Sequence, residues 1–246
     1  MSERSVYPIL MRRRKWKFPN DIPYAEAVAL KHFYDATGGD SWTNNTNWGK
    51  TKVANDWFGI TVSGGHVTEI DLNTNNLVGA VRSILNDNLT SLTYLRLSHS
   101  SLTTCIVTNL TSLTYLDLSS SNLTDVGVVT GLTGLTELRL YYNSLTDVGN
   151  INSITGIQTC YLHNNNFSQA TLDTFLEGID TNRASFTYAT PVLNISGATM
   201  ATPGGVYQYA ATPSTGLEYV YRLANDDDSE GFNKWNPITW NGGSAP

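Results

Sequence analysis

Val67-Thr-Glu-Ile70-Asp-Leu72-Asn-Thr-Asn75-Asn-Leu77 is a stretch that the chain repeats. It returns as Leu92-Thr-Tyr-Leu95-Arg-Leu97-Ser-His-Ser100-Ser-Leu102 and as Leu113-Thr-Tyr-Leu116-Asp-Leu118-Ser-Ser-Ser121-Asn-Leu123. Leu135-Thr-Glu-Leu138-Arg-Leu140-Tyr-Tyr-Asn143-Ser-Leu145 and Ile157-Gln-Thr-Cys160-Tyr-Leu162-His-Asn-Asn165-Asn-Phe167 follow, with starts spaced 25, 21, 22 and 22 residues. A period this short marks a stacked repeat architecture. Positions 4 and 6 of each unit share one side of a short strand, and positions 3, 5 and 7 the other. No unit can bury its leucines alone, so neighbours stack into a parallel-stranded solenoid. Position 9 favours Asn, whose amide both donates and accepts where the chain turns away from a regular ladder. Ser100 and Ser121 replace it in two units, which predicts a weaker polar ladder there.

Working outward, both ends read as caps. Asp21 and Pro23 signal a helix start and Gly38-Gly39 a stop, with Ala27, Leu30 and Tyr34 on one face. Trp42, Trp48, Trp57 and Phe58 then read as a hydrophobic lid over the first repeat. Gly59–Val62 supplies a lead-in strand before the Gly64-Gly65 turn. At the other end, Thr171–Asp180 carries Leu172, Phe175, Leu176 and Ile179 at helical spacing. Val192–Ile195 reads as a strand, Gly197–Gly205 as a loop, Gly216–Asn225 as a helix and Trp235–Trp240 as a final strand.

These repeats resemble leucine-rich repeats of the bacterial and phage type. Phe33–Trp48 with Trp57–Val62 resembles the N-terminal cap of such proteins. Tyr188–Ile195, Gly216–Tyr221 and Glu230–Trp235 resemble the ends of virion-associated repeat proteins of tailed phages. The fold class expected is an α/β solenoid of leucine-rich repeats with its parallel β-sheet on the concave face. Short 3₁₀ or extended segments would line the convex side, between a helical N-terminal cap and a modified α/β C-terminal cap. The chain divides into an arm (1–20), an N-terminal cap (21–66), repeats (67–184) and a C-terminal capping region (185–246). The resemblance implies a non-enzymatic recognition or virion structural protein; as a decoration or adhesin it would dock on other virion proteins through the arm and offer the concave face to a host-surface protein or glycan. The alternative is an intracellular, cytoplasmic module that holds a protein partner on the concave face.

Charge is distributed unevenly along the 246 residues, 15 of them basic and 21 acidic, for a net −6. Residues 1–20 carry six basic side chains against Glu3, a net of +5; the rest holds nine basic and 20 acidic, a net of −11. An arm built on Arg12, Arg13, Arg14, Lys15, Trp16, Lys17 and Phe18 suits anchoring to an acidic protein surface, an anionic membrane or nucleic acid. The acidic body argues against nucleic acid elsewhere, because phosphate contacts need clustered Lys or Arg. No apolar run approaches the ~18–20 residues of a membrane helix, and the first 20 residues lack a signal-peptide core. Cys105 and Cys160 are too few for a disulfide framework and read as buried thiols.

Candidate chemistry is sparse. No nucleophile–base pair, phosphate loop or metal motif is present, the four histidines are scattered, and no cofactor is implied. Asp226, Asp228 and Glu230 form a weak cation candidate without the alternating ligand spacing of a calcium loop. The outward face is richer. Its position-5 column reads Asp71, Arg96, Asp117, Arg139, Tyr161, which predicts alternating charges on strands ~4.8 Å apart. Tyr94, Tyr115, Tyr141, Tyr142, Tyr161 and His163 form an aromatic patch beside it, and His99 is placed with His163 on the strands. Two readings stand side by side: a self-satisfying row of ion pairs with decorative tyrosines, or a recognition surface.

Overall fold

The computed structural model describes residues 15–82, 85, 88–125, 127, 131–147, 154–181 and 192–196, and the backbone of 238–240 and 243–245. Chain order is α1 (Tyr24–Ala36), β1 (Ile60–Ser63), β2 (His66–Asp71), β3 (Val78–Val81), β4 (Tyr94–Arg96) and β5 (Ser101–Cys105). Then come β6 (Tyr115–Asp117), β7 (Glu137–Arg139), β8 (Thr159–Tyr161), α2 (Gln169–Thr181), β9 (Val192–Ile195), β10 (Ile238–Trp240) and β11 (Gly243–Ala245). Among the described residues nine strands form one sheet in the order β1-β2-β4-β6-β7-β8-β9-β10-β11. From β2 to β10 the pairing is parallel, and an antiparallel partner closes each end. This is the α/β solenoid that the repeats predict.

The register keeps every repeat position in one column. Ile70, Leu95, Leu116, Leu138, Cys160 and Leu193 are successive partners. All six are buried, as are Leu72, Leu97, Leu118, Leu140, Leu162 and Ile195 two residues later. The column of position 1 (Val67, Leu92, Leu113, Leu135, Ile157) and that of position 11 (Leu77, Leu102, Leu123, Leu145, Phe167) complete the core. Position 2 adds a threonine ladder with no counterpart in the sequence reading. Thr93, Thr114 and Thr136 each donate their hydroxyl to the carbonyl of the threonine one repeat earlier, at 3.0–3.1 Å. On the opposite side β3 and β5 pair in parallel, and Thr104 bridges to Asp125, so extended backbone lines the convex segments there.

Position 9 behaves as its chemistry dictates. Asn143 donates to the carbonyls of Leu118 (2.9 Å) and Leu140 (3.0 Å) and accepts from the Leu123 N–H (3.1 Å). Asn165 repeats this one turn on, with Leu140, Leu162 and Leu145. Ser100 and Ser121 are too short to reach these groups and bond to each other instead, at 2.8 Å.

The N-terminal cap departs from the sequence reading in two details. Asp21 does not cap α1; its carboxylate accepts from the N–H groups of Ala54 and Asn55, at the start of a short 3₁₀ turn (Ala54–Asp56). Phe58 stays 38% exposed, whereas Trp42, Trp48 and Trp57 are buried as a lid. Trp16 joins them edge-on to Tyr34 (5.0 Å) and Trp57 (5.5 Å), in a seat that a Cβ at Gly49 would fill. Glu26 on α1 is also buried, and accepts from the Val67 N–H (2.8 Å) while its other oxygen meets His66 Nδ1 (2.6 Å). That carboxylate fastens the helix to the first repeat.

At the C-terminal end, α2 packs Leu172, Leu176 and Ile179 inward, and Ser168 caps it through the Thr171 N–H. The expected strand at Val192–Ile195 forms as β9; of that expected at Trp235–Trp240, Ile238–Trp240 forms β10 and 235–237 lie outside the described residues, and β11 adds a hairpin partner that was not anticipated. The loop and helix expected over 197–225 lie outside the described residues.

Candidate functional site

The outward columns of β4 to β8 bring the expected aromatic residues into one continuous row. Tyr94 and Tyr115, at position 3 of adjacent repeats, stack face to face at 4.4 Å and 7°. One repeat on, the guanidinium of Arg139 lies 5.7 Å from the Tyr115 ring and 5.8 Å from that of Tyr161. Tyr161 meets His163 edge-on, and His163 stacks on Tyr141 at 4.7 Å and 3°. Tyr142 closes the group edge-on to both Tyr141 and His163. Arg139 is the joint of the row, because without it the stacked pair and the later cluster are separate.

The charge ladder is only half of what position 5 predicts. Arg96 sits between Asp71 (3.7 Å) and Asp117 (3.5 Å), as alternation requires. Arg139 turns instead to Glu137 on its own strand, with Nε 2.5 Å from the carboxylate. Asp117 is 2% exposed, and its Oδ1 accepts from both the N–H (3.0 Å) and hydroxyl (2.6 Å) of Ser119. Asp71 and Asn194 accept from the backbone N–H two residues on in the same manner. Asp71 and Asp117 therefore hold the turns after their own strands, and Arg139, paired with Glu137, lies between rings. Burial of the two stacked phenols, with Asp71 near Tyr94 and Asp117 near Tyr115, raises their pKa values and keeps both neutral. Burial lowers the pKa of His163, whose Nδ1 is shielded and has no hydrogen-bond partner among the described residues.

His99 is corrected by the structure. It belongs to position 8, where Thr74, His99, Ser120, Tyr142 and Asn164 all take left-handed φ values between 52° and 56°. The N–H of this corner residue donates to the position-7 carbonyl of the next repeat, for example Tyr142 to His163 at 3.0 Å. The geometry lifts position 8 off the strand, so His99 is an exposed corner residue separate from the row. It also projects Tyr142 outward, 57% exposed. Sequence reasoning missed this turn, whose one signal is the small or polar residue in four of the five units.

Two other expected groups are placed or left open. Trp16, Lys17 and Phe18 lie against the cap, with the Lys17 N–H bonded to the Gly49 carbonyl (3.0 Å) and Phe18 packed on Tyr24 (5.3 Å). Lys15 is exposed at the start of that segment, and Arg12, Arg13, Arg14, Asp226, Asp228 and Glu230 lie outside the described residues. Among the described residues no cluster of three His, Cys, Asp or Glu side chains could hold a metal ion. No helix there is long and apolar enough to cross a membrane. Burial raises both thiols, Cys105 and Cys160, to about 12.

No family model and no curated protein matches this chain. Solved structures do. The crystal structure of PEPR1-AtPEP1 superposes with a TM-score of 0.53 and 21% identity, over 72% of this chain and 27% of that one. The architecture is a leucine-rich-repeat solenoid. The BIR2 ectodomain from Arabidopsis thaliana gives a TM-score of 0.48 at 21% identity, over 61% of this chain and 82% of that one. A plant ice-binding protein gives 0.47 at 18%, over 74% and 65%. The repeat solenoid thus spans about a quarter of the PEPR1 chain.

Proposed function

We propose that this repeat solenoid is a non-enzymatic recognition module that binds a protein partner through the outward face of its sheet, from Tyr94 to His163. The observation that carries this reading is the continuous Tyr115–Arg139–Tyr161–His163–Tyr141–Tyr142 row, with Tyr142 exposed at a left-handed corner. Rigid aromatic side chains around an Arg are the composition of interaction hot spots, because they give contact area at low entropic cost. Glu137 and the two flanking rings hold the guanidinium in place before any partner arrives, which reduces the cost of ordering it. The test compares quantitative capture of partners by the wild type, Arg139→Gln and Tyr142→Asn, with Tyr24→Ala as an exposed tyrosine far along the chain. A partner lost with the first two variants and kept with the third supports the site; equal capture by all four overturns it.

The virion setting is a narrower reading, and rests on the resemblance of the chain ends and on the basic arm. One observation gives the arm a defined origin: residues 16–18 are fixed to the cap, so Arg12, Arg13 and Arg14 immediately precede a held segment. In this reading those arginines dock the protein on an acidic surface of the particle, and the tyrosine row faces outward.

A further inference from the structure

The N-terminal cap carries a second candidate site on elements that the tyrosine row does not use. A cleft of about 550 Å³ opens between α1, the Gly39–Ser41 turn, the loop through Lys50, and Trp16. That volume falls within the ~300–1,000 Å³ of small-molecule sites. Its aromatic lining is the half-buried Trp16, with Lys31 Nζ 5.0 Å over its ring, backed by Tyr34 and Trp48, which are 7% and 2% exposed. Its polar surface is balanced: Lys31 is paired with Asp35, and Lys50 and Asp40 add one charge of each sign. A phosphate or other strong anion would meet two carboxylates there, and a lone cation two ammonium groups. The balance suits a neutral ligand that both donates and accepts hydrogen bonds.

The polar groups are already ordered. Tyr34 donates to Asp40 Oδ1 (2.9 Å), and Asn45 donates to the Tyr34 oxygen (3.2 Å) and the Gly39 carbonyl (2.9 Å). Burial, then the bond to Asp40, raises the Tyr34 phenol to about 12, so it remains a donor. Asp40 keeps Oδ2 open, and Lys50 spends only one long bond, 3.4 Å to Asn45. The indoles of the cap supply a further sign. Trp42, Trp48 and Trp57 each donate from Nε1, to Thr37, Phe58 and Thr51, at 2.9–3.1 Å. Trp16, which lines the cleft, is different: its Nε1 is shielded and has no acceptor among the described residues. A buried donor left unpaired is costly, and a ligand oxygen would relieve it.

We infer that this cleft binds a neutral saccharide of one or two rings, with hydroxyls on Asp40, Lys50 and Trp16 Nε1 and its ring carbons against the exposed part of Trp16. Donors and acceptors side by side next to the Trp16 indole match a polyhydroxylated ring better than an apolar ligand, which would strand Asp40 and Lys50. The experiment titrates the full chain with maltose, cellobiose and N,N′-diacetylchitobiose, followed by tryptophan fluorescence and calorimetry. Saturable millimolar or tighter binding of at least one is expected, weakened about tenfold in Asp40→Asn and Lys50→Met. Trp16→Phe removes the unpaired donor together with part of the ring surface beside Gly49, so it should lose sugar affinity while its melting temperature falls only modestly. Tyr142→Asn should bind the sugar as the wild type does, since the two sites are independent. Absence of saturation by all three sugars overturns the proposal. Unchanged affinity in all three cleft variants overturns it equally.

Discussion

Tyr142 sits at φ 53°, a region where a bulky side chain crowds its own backbone at a cost of about 1–2 kcal/mol. The solenoid imposes that corner on every repeat, and Asn164 meets the same demand one turn later with a residue suited to it. A tyrosine held there keeps half its surface in water and has only edge contacts to Tyr141 and His163 to set against the strain. Tyr142→Asn should therefore raise stability by about 1 kcal/mol, read as a higher midpoint in urea. A lower midpoint would show that the edge contacts to Tyr141 and His163 outweigh the strain. His163 gives a residue-scale prediction in pH. Its folded pKa lies below the 6.5 of an unperturbed histidine because burial disfavours the charge. The unfolded chain then binds more protons between the two values, so stability rises with pH there. The contribution is fully present above 6.5 and is lost as pH falls toward the folded value. His163→Gln should flatten that slope in urea melts taken from pH 7 downward, and an unchanged slope would assign it to other groups.

The repeat is the next scale, and its turn rests on one side chain. Asn165 satisfies the Leu145 N–H and two carbonyls, all buried. Asn165→Ala leaves those groups unpaired and should cost at least about 2 kcal/mol. Ser121→Ala removes only the hydroxyl pair with Ser100 and a 3.3 Å bond to Ser119, and should cost about 1 kcal/mol. Equal midpoints for the two variants would mean that the amide ladder is not what holds the turns. Both halves of this contrast are legible in the sequence, because a column that recurs every 21–25 residues writes its burial into the pattern. Single contacts write nothing comparable. Asp21 stands where a helix cap belongs, yet its carboxylate is spent 33 residues away on Ala54. Arg139 looks like a rung of the charge ladder, yet Glu137 on its own strand is nearer and Asp117 is already satisfied by Ser119. The tyrosine row was visible as a set of positions, but its continuity through Arg139 depends on ring-to-guanidinium distances that no spacing encodes.

At the scale of the molecule, the basic arm and the acidic body meet inside the cap rather than at residue 20. Trp16 and Phe18 are half buried against the core, the Lys17 N–H is bonded to Gly49 and the Asn20 N–H to Lys52. The arm's charge is carried largely by the arginines before this point, while the cap claims the aromatic residues after it. Two truncations separate these contributions. Removing residues 1–14 deletes Arg12, Arg13 and Arg14 but no described contact, and should leave the melting temperature unchanged. Removing residues 1–20 also strips two aromatics worth about 1.5 kcal/mol each, and should lower it by roughly 6–12 °C. Equal melting temperatures would show that the segment from Trp16 to Asn20 adds nothing to the cap. The shorter truncation also isolates the anchoring proposal. Because its fold is intact, failure to associate with particles or with an acidic protein surface would be assigned to the arginines. Normal association would reject them as the anchor, and in both cases partner capture by the tyrosine row should match the wild type.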